Sequence, residues 1–249
     1  EIVESAIVND SGYGSGIGIQ SLGSDVTILR SVFTNNTGYD GVAVQAWVQG
    51  SYAGSLTIGD SIFALNKNWS GSAVPRNVVV SSGVVKTNLG NNLYDNAAGG
   101  FFDVVPGTGD YLGTPHYVVT TVADTFDHTN NVESLSIREA VDKANTTAGV
   151  QEIWIPAWTF VLTRDRATYG GGSLTDTDIA WGDLDIKDSL KIRGVAEWTS
   201  VAWKPGIVDA VFELLGDGSH DGSVDAADYT VWQDTLGSTT DLRADGDDD

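Results

Sequence analysis

Residues 31–35 (Ser-Val-Phe-Thr-Asn) and residues 61–66 (Ser-Ile-Phe-Ala-Leu-Asn) share one form: a small polar residue, an apolar pair, and an asparagine shortly after. Residues 5–9 and 92–96 repeat it, so the starts at 5, 31, 61 and 92 lie 26, 30 and 31 residues apart. This form suits a short strand that enters a turn, where asparagine tolerates left-handed backbone. Second strands are predicted between these segments, at 16–20, 42–48 and 78–80.

A repeat of this length predicts stacked turns, because stacking buries a continuous core that one turn alone would expose. Over about residues 1–100 the pattern resembles right-handed parallel β-helix proteins of the pectate-lyase-like kind. The predicted fold class is therefore mainly β, with parallel β-helix coils, a short capping helix and a small α-helical calcium-loop tail. A β-sandwich with irregular strand spacing is the competing interpretation.

A second module is predicted to begin near His116. A strand is expected at 117–122, followed by a capping box in which Ser136 caps a helix and Glu139 reaches back. The apolar face of that helix has members at i, i+3, i+4 and i+7, namely Ile137, Ala140, Val141 and Ala144. Its end is expected near Asn145, with strands around 153–155 and 159–162 and later coils at 183–194 and 208–215. The segment resembles the opening of secreted and surface β-helix proteins, in which a short helix covers the first coil.

Residues 217–228 have the ligand spacing of an EF-hand-type calcium loop. Gly222 holds the sixth position, where the backbone turns sharply, and oxygen-bearing residues hold the ligand positions. The predicted shell consists of Asp217, Ser219, Asp221, the backbone carbonyl of Ser223, Asp225 and Asp228. An acidic surface turn is the alternative, and agreement at six positions argues against it.

Asp at the twelfth position, with a predicted helix at 226–236 after the loop, resembles a type I dockerin repeat. Asp245, Asp247 and Asp249 match the first ligand positions of a second loop, which we expect to be truncated. The resemblance implies Ca²⁺ as the bound ion and a cohesin-like protein as partner of the helix. Ala226 and Ala227 replace the hydroxyl residues common at partner-selecting positions, so an intramolecular contact through the helix is the rival expectation.

Composition limits the partners further. The 249 residues carry a net charge of -21, which disfavours nucleic acid and anionic membrane surfaces. The chain has no cysteine, which excludes thiol catalysis and cysteine-ligated zinc. No membrane-length apolar run is seen in the sequence. The family resemblance implies an extracellular or cell-surface location.

The expected division is 1–115, the end of one β-helix; 116–214, the start of a second; and 215–249, the dockerin-like repeat.

Two functions of different class remain open. A non-catalytic β-helix scaffold with a calcium-dependent docking module is the favoured prediction. The alternative is that the chain is part of an extracellular polysaccharide-degrading enzyme, with a polysaccharide as its ligand. The acids Asp176, Asp178, Asp183 and Asp185 are a candidate sugar site beside Arg164 and Arg166, but such a run is more often a solvated loop. No catalytic residue is assigned, since the motifs of polygalacturonase-like enzymes are missing and none of the three histidines has a partner that suggests base catalysis.

Overall fold

The computed structural model describes residues 1–8, 11–12, 17–20, 25–38, 44–47, 53–68, 77–80, 83–95, 107–127, 134–164, 180, 184–187, 189–195, 199–203 and 212–214. These residues are mainly β, in parallel sheets. The first strands are β1 (Ile2–Val3), β2 (Ala6–Val8), β3 (Ser11–Gly12), β4 (Ile17–Gln20), β5 (Asp25–Leu29), β6 (Val32–Thr34), β7 (Thr37–Gly38), β8 (Val44–Trp47), β9 (Gly54–Gly59), β10 (Ile62–Ala64), β11 (Lys67–Asn68), β12 (Val78–Val80), β13 (Val84–Asn88), β14 (Leu93–Asp95) and β15 (Tyr111–Gly113). There follow β16 (Tyr117–Val118), the helix α1 (Ile137–Thr146), β17 (Gln151–Ile155), β18 (Thr159–Leu162), β19 (Leu184–Ile186), β20 (Leu190–Gly194), β21 (Ser200–Trp203) and β22 (Phe212–Leu214).

Strands β1–β15, called the N-terminal stack, pair with their counterparts one repeat away. Their sheets have the orders β1-β5-β9-β13, β15-β14-β10-β6-β2, β11-β7-β3 and β12-β8-β4. The register aligns the four predicted segments, because Val32 pairs with both Ala6 and Ile62, and Ile62 pairs with Leu93. The predicted strands at the four repeated segments, and those predicted between them, are therefore confirmed.

The core of the N-terminal stack is built by repetition. Phe33, Phe63 and Tyr94 follow one another across three strands, with ring centroids 5.0 and 5.6 Å apart and planes within 13°. Val44, Ile58 and other aliphatic side chains fill the space beside these rings. Since each apolar residue packs on its counterpart in the next repeat, the core is continuous along the stack.

A serine ladder runs along one corner of the stack. The backbone N–H of Ser5 donates to Ser31 Oγ (3.3 Å), and that of Ser31 donates to Ser61 Oγ (3.1 Å). Ser61 N then donates to Asn92 Oδ1 (3.1 Å), and Asn92 N donates to Asp110 Oδ1 (2.8 Å). Each serine hydroxyl also donates to the carbonyl two residues before it. The small polar residue that opens each repeat thereby satisfies buried backbone groups.

An amide ladder runs along a second line through the interior. Asn36 Nδ2 donates to Asn66 Oδ1 (3.1 Å), Asn66 Nδ2 donates to Asn77 Oδ1 (2.8 Å), and Asn77 Nδ2 donates to Asp95 Oδ1 (2.6 Å). The three asparagines are each at most 3% exposed. Asn66 ends one of the four repeated segments, whereas Asn36 and Asn77 lie outside them, and none of the three has left-handed backbone.

Strands β16–β22 and α1 form a second group. Its sheets are β16-β17-β20, β18-β21 and β19-β22, again parallel. The capping box is confirmed, since Ser136 Oγ accepts from Glu139 N and the Glu139 carboxylate accepts from Ser136 N. The predicted apolar face of α1 is buried and packs with residues of β17, β18 and β19.

The strand predicted at 117–122 is too long by four residues, since β16 ends at Val118. Thr120 explains the early end. Its N–H donates to Leu135 O (2.9 Å) and its Oγ1 accepts from Leu135 N (2.8 Å), so the chain turns away toward the start of α1.

The two groups share a hydrophobic cluster. Val32, Ile62 and Leu93 of the N-terminal stack lie in it with Val118 and Trp154 of the second group. The predicted boundary at 115/116 therefore coincides with a packed contact, and the division into modules stays a prediction. Among the described residues no helix is long and apolar enough to cross a membrane.

Candidate functional site

The predicted calcium ligands, from Asp217 to Asp249, lie outside the described residues, as does the predicted helix at 226–236. Asp176, Asp178, Asp183 and Arg166 also lie outside them. In the part of the chain that the structure describes, no group of three or more histidine, aspartate or glutamate side chains is arranged to hold a metal ion. The calcium site therefore stays a prediction from sequence.

Asp185 and Arg164, from the candidate sugar site, are both described. Asp185 lies in β19 and is fully buried, and its backbone carbonyl accepts from Asn145 Nδ2 (2.7 Å). Arg164 Nε donates to the carbonyl of Ala180 (2.7 Å). The burial of Asp185 differs from the solvated loop that the sequence favoured for this run of acids.

His116 takes part in a polar cluster. Its Nδ1 accepts from the backbone N–H of Glu152 (3.0 Å). Glu152 Oε1 accepts from Trp154 Nε1 (2.7 Å) and lies 3.6 Å from Arg193 Nε. Arg193 stacks on the ring of Tyr111, with Cζ 3.4 Å from the centroid. This cluster fastens β15, β17 and β20 together, and the other two histidines lie outside the described residues.

Two further carboxylates have shifted pKa values with structural causes. Burial raises the pKa of Asp95 above its ordinary value, against the lowering effect of hydrogen bonds from Asn77 and Leu65. Burial acts in the same direction on Asp124, but the hydrogen bond and charge of Arg138, together with hydrogen bonds from the backbone N–H groups of Thr163 and Arg164, outweigh it and lower the pKa of Asp124. Both groups are engaged by neighbouring donors, which favours a role in holding segments together.

A groove opens where the N-terminal stack meets the second group. Its volume is about 680 Å³, within the range of about 300–1,000 Å³ found for small-molecule sites. One wall carries Glu4 and Arg30, whose carboxylate and guanidinium approach to 2.9 Å. The other wall carries Thr121 and Trp158, with Ala157 behind them.

The groove is positioned by the backbone on both sides. Glu4 and Arg30 are corner residues in left-handed conformation, each with a φ of 47°, and the next repeat has Asp60 at the same corner (φ 51°). Trp158 Nε1 donates to the carbonyl of Arg30 (2.8 Å), which fixes the second wall to that corner. Sequence reasoning missed this site because its walls are 128 residues apart.

Trp154 is fully buried in the hydrophobic cluster that the two groups share. Trp158 is half-buried and lines the groove. Comparison of the chain with protein-family models, with curated proteins and with solved structures found no match.

Proposed function

We propose that the chain is an extracellular, non-catalytic scaffold of right-handed parallel β-helix coils with a calcium-dependent docking module at residues 215–249. The observation that carries the scaffold is the register of the N-terminal stack. Equivalent residues of successive repeats pair directly from β2 through β6, β10 and β14 to β15, and their cores and ladders stack with them. A stack of this kind is stiff along its axis and presents repeated side chains on its surface.

The ladders support a structural role for many of the polar residues. Asn66 contacts Asn36, Phe33 and Asn77, and Asp110 contacts Asn88, Asn92 and Gly107. These side chains, which would otherwise be candidates for chemistry, satisfy donors and acceptors of the stack itself. In the proposed scaffold, α1 covers the opening coil of the second module and shields its core.

The docking module is proposed from its loop pattern. Calcium prefers six to eight oxygen ligands, and the carboxylates of Asp217, Asp221 and Asp228 would supply charge while Ser219 and the carbonyl of Ser223 complete the shell. Asp225 would act at the ninth position, directly or through water. Calcium would order the loop and thereby present the helix at 226–236 to a cohesin-like protein, or to this chain's own strands.

Calcium titration of the full chain by calorimetry tests the module, with fluorescence of Trp232 followed in parallel. Saturable binding is expected in the wild type and in Asp25→Ala, an exposed control with the same charge change, and its loss is expected in Asp221→Ala. Absence of binding in the wild type would remove the docking module. Binding that survives Asp221→Ala would place the ion elsewhere.

A separate assay addresses the non-catalytic part of the proposal. The chain is incubated with a panel of neutral and acidic polysaccharides, with and without calcium, and the release of reducing ends and of unsaturated products is measured. We expect neither product. Release of either one would overturn the scaffold assignment and support the alternative, a polysaccharide hydrolase or lyase.

A further inference from the structure

We propose that the groove between Glu4, Arg30 and Trp158 binds a neutral saccharide, a function independent of the calcium module. The groove lies at the junction of the N-terminal stack and the second group, and it is not built from any of the acids that the sequence suggested as a sugar site. Its volume suits a short stretch of a saccharide rather than one small ion.

The charges of the lining residues favour a neutral ligand. Among the described lining residues, Glu4 and Arg30 carry the charges, and at 2.9 Å they compensate each other. A cation would meet a carboxylate that is already paired. An anion would meet a paired guanidinium on a chain of net charge -21, whose field opposes its approach. Both side chains are nevertheless partly accessible, since those of Arg30 and Glu4 are 31% and 58% exposed, while the Arg30 Nε that contacts Glu4 is buried.

Hydrogen-bonding groups on both walls suit hydroxyls as partners. Thr121 Oγ1 accepts from Ala123 N (3.2 Å) and Thr159 Oγ1 accepts from Ser200 Oγ (3.3 Å), so each hydroxyl keeps its own proton to donate. In the same lining, Glu4 can accept and Arg30 can donate. A sugar hydroxyl both donates and accepts, and it therefore complements a groove that offers both functions.

The apolar part of the groove suits the ring of a sugar. Trp158 uses its N–H on the carbonyl of Arg30, so the indole offers a ligand its carbon surface and electron-rich ring rather than a donor. Val122 is half exposed beside it, and Ala157 adds further apolar surface. The combination of apolar ring contact and a rim of paired polar groups fits the C–H face and hydroxyl edge of a pyranose.

The test measures binding to the full chain in chelator-treated buffer, so that the calcium loop does not contribute. The probes are neutral trisaccharides of β-1,4-linked glucose, mannose and xylose, with trigalacturonate as the acidic comparator, each at millimolar concentration. Calorimetry gives affinity and saturation-transfer NMR reports which ligand protons lie against the protein. We expect at least one neutral trisaccharide to bind, and more tightly than trigalacturonate.

Glu4→Gln is the decisive variant, because it keeps the shape and leaves the Arg30 charge uncompensated. Charge-assisted hydrogen bonds are about twice as strong as neutral ones, so neutral trisaccharide binding should weaken about tenfold. The preference should also shift toward trigalacturonate, which a merely structural effect would not produce. Asp60→Asn, at the same corner of the next repeat and outside the groove, should bind as the wild type does.

Three results would overturn the proposal: no neutral trisaccharide bound by the wild type, a wild-type preference for trigalacturonate, or equal losses in Glu4→Gln and Asp60→Asn. Thr121→Val provides a second variant should Glu4→Gln fail to fold. It removes one hydroxyl at constant shape, and weaker neutral binding with an unchanged neutral-to-acidic preference is expected. An unchanged affinity of Thr121→Val for the neutral trisaccharide would contradict saccharide binding in the groove.

Discussion

The buried pair of Asp124 and Arg138 is the point at which a single substitution should most weaken the second group. Arg138 Nε lies 2.7 Å from Asp124 Oδ1 and Nη2 lies 3.3 Å from Oδ2, and the two side chains are 0% and 1% exposed. Asp124 Oδ2 also accepts from the backbone N–H groups of Thr163 (2.7 Å) and Arg164 (3.0 Å). One carboxylate therefore joins the segment before α1, α1 itself and the end of β18.

Asp124→Asn keeps the shape but leaves the Arg138 charge buried without its counterion. Removing one partner of a buried pair destabilises proteins by about 3–5 kcal/mol. Total stabilities are about 5–15 kcal/mol, so the variant should lose a large share of its free energy of unfolding. For a chain of this length, about 2–4 °C per kcal/mol gives a fall in Tm of about 6–20 °C.

The pH dependence of this effect has a definite sign. The pKa of Asp124 is lower in the folded chain than its ordinary value, because Arg138 and the backbone donors of Thr163 and Arg164 together outweigh the effect of burial. Ionised Asp124 therefore stabilises the fold above the unfolded pKa, and this contribution disappears as pH falls through the folded pKa. The difference in the free energy of unfolding between the wild type and Asp124→Asn should be constant from pH 7 to about pH 5, and it should become smaller below about pH 4.

Urea unfolding followed by circular dichroism and tryptophan fluorescence gives the free energies at each pH. Asp25→Asn is the control, since Asp25 is exposed and its loss should change stability by less than about 0.5 kcal/mol. A loss below about 1 kcal/mol in Asp124→Asn, or a gap that widens at acid pH, would refute the reasoning.

Other substitutions test the N-terminal stack. Asn66→Ala removes four hydrogen bonds with Asn36, Phe33 and Asn77, and at about 1 kcal/mol each we expect a loss of about 4 kcal/mol in urea unfolding. Asn35→Gly, in left-handed backbone at φ 57°, should be neutral or slightly stabilising, and a similar loss in both variants would contradict the ladder. Gly90→Ala would place a Cβ 2.1 Å from Thr108 O at φ 92°, whereas Gly149→Ala at φ 90° meets nothing within 4 Å. Gly149→Ala should lower the free energy of unfolding by about 1–2 kcal/mol through backbone strain alone, and Gly90→Ala should lower it clearly more. Equal losses would show that the clash at Gly90 does not destabilise the fold.

The features that could be predicted are those that depend on residues close together in the sequence. The repeated strands and the capping box of α1 follow from local patterns, and both are confirmed. The role of individual asparagines was harder to predict. Asn35 is left-handed as expected, but in the next repeat Leu65 takes that conformation and Asn66 is a buried ladder residue. Turn and ladder positions are adjacent and both favour asparagine, for different reasons, so composition alone does not separate them.

Features that join distant parts of the chain were not predicted. Arg30 and Trp158 form the groove across 128 residues, and Thr120 ends a strand early through its contacts with Leu135. No local pattern carries these pairings, because they depend on how the second group packs on the stack. The acids of the predicted calcium loops follow a well-defined ligand spacing, and their assignment remains a prediction.

The end of the amide ladder can be understood from hydrogen-bond capacity. An asparagine amide can accept from one neighbour while its nitrogen donates to the next, but a carboxylate can only accept, and among the described residues this ladder ends at Asp95. Each link of the serine ladder is donated by a backbone N–H instead, and the N–H of Asp110, its last described member, donates to Gly107 O (3.2 Å). At each end the carboxylate collects donors: Asp95 accepts from Asn77 and Leu65, and Asp110 accepts from both nitrogens of Asn92.

Asp110 lies where the repeat changes in length. Ser5, Ser31, Ser61 and Asn92 are 26, 30 and 31 residues apart, whereas Asn92 and Asp110 are only 18 apart. An acceptor-only side chain is tolerated at the ladder position of this shortened repeat, because Asn88 and Gly107 donate to its second oxygen.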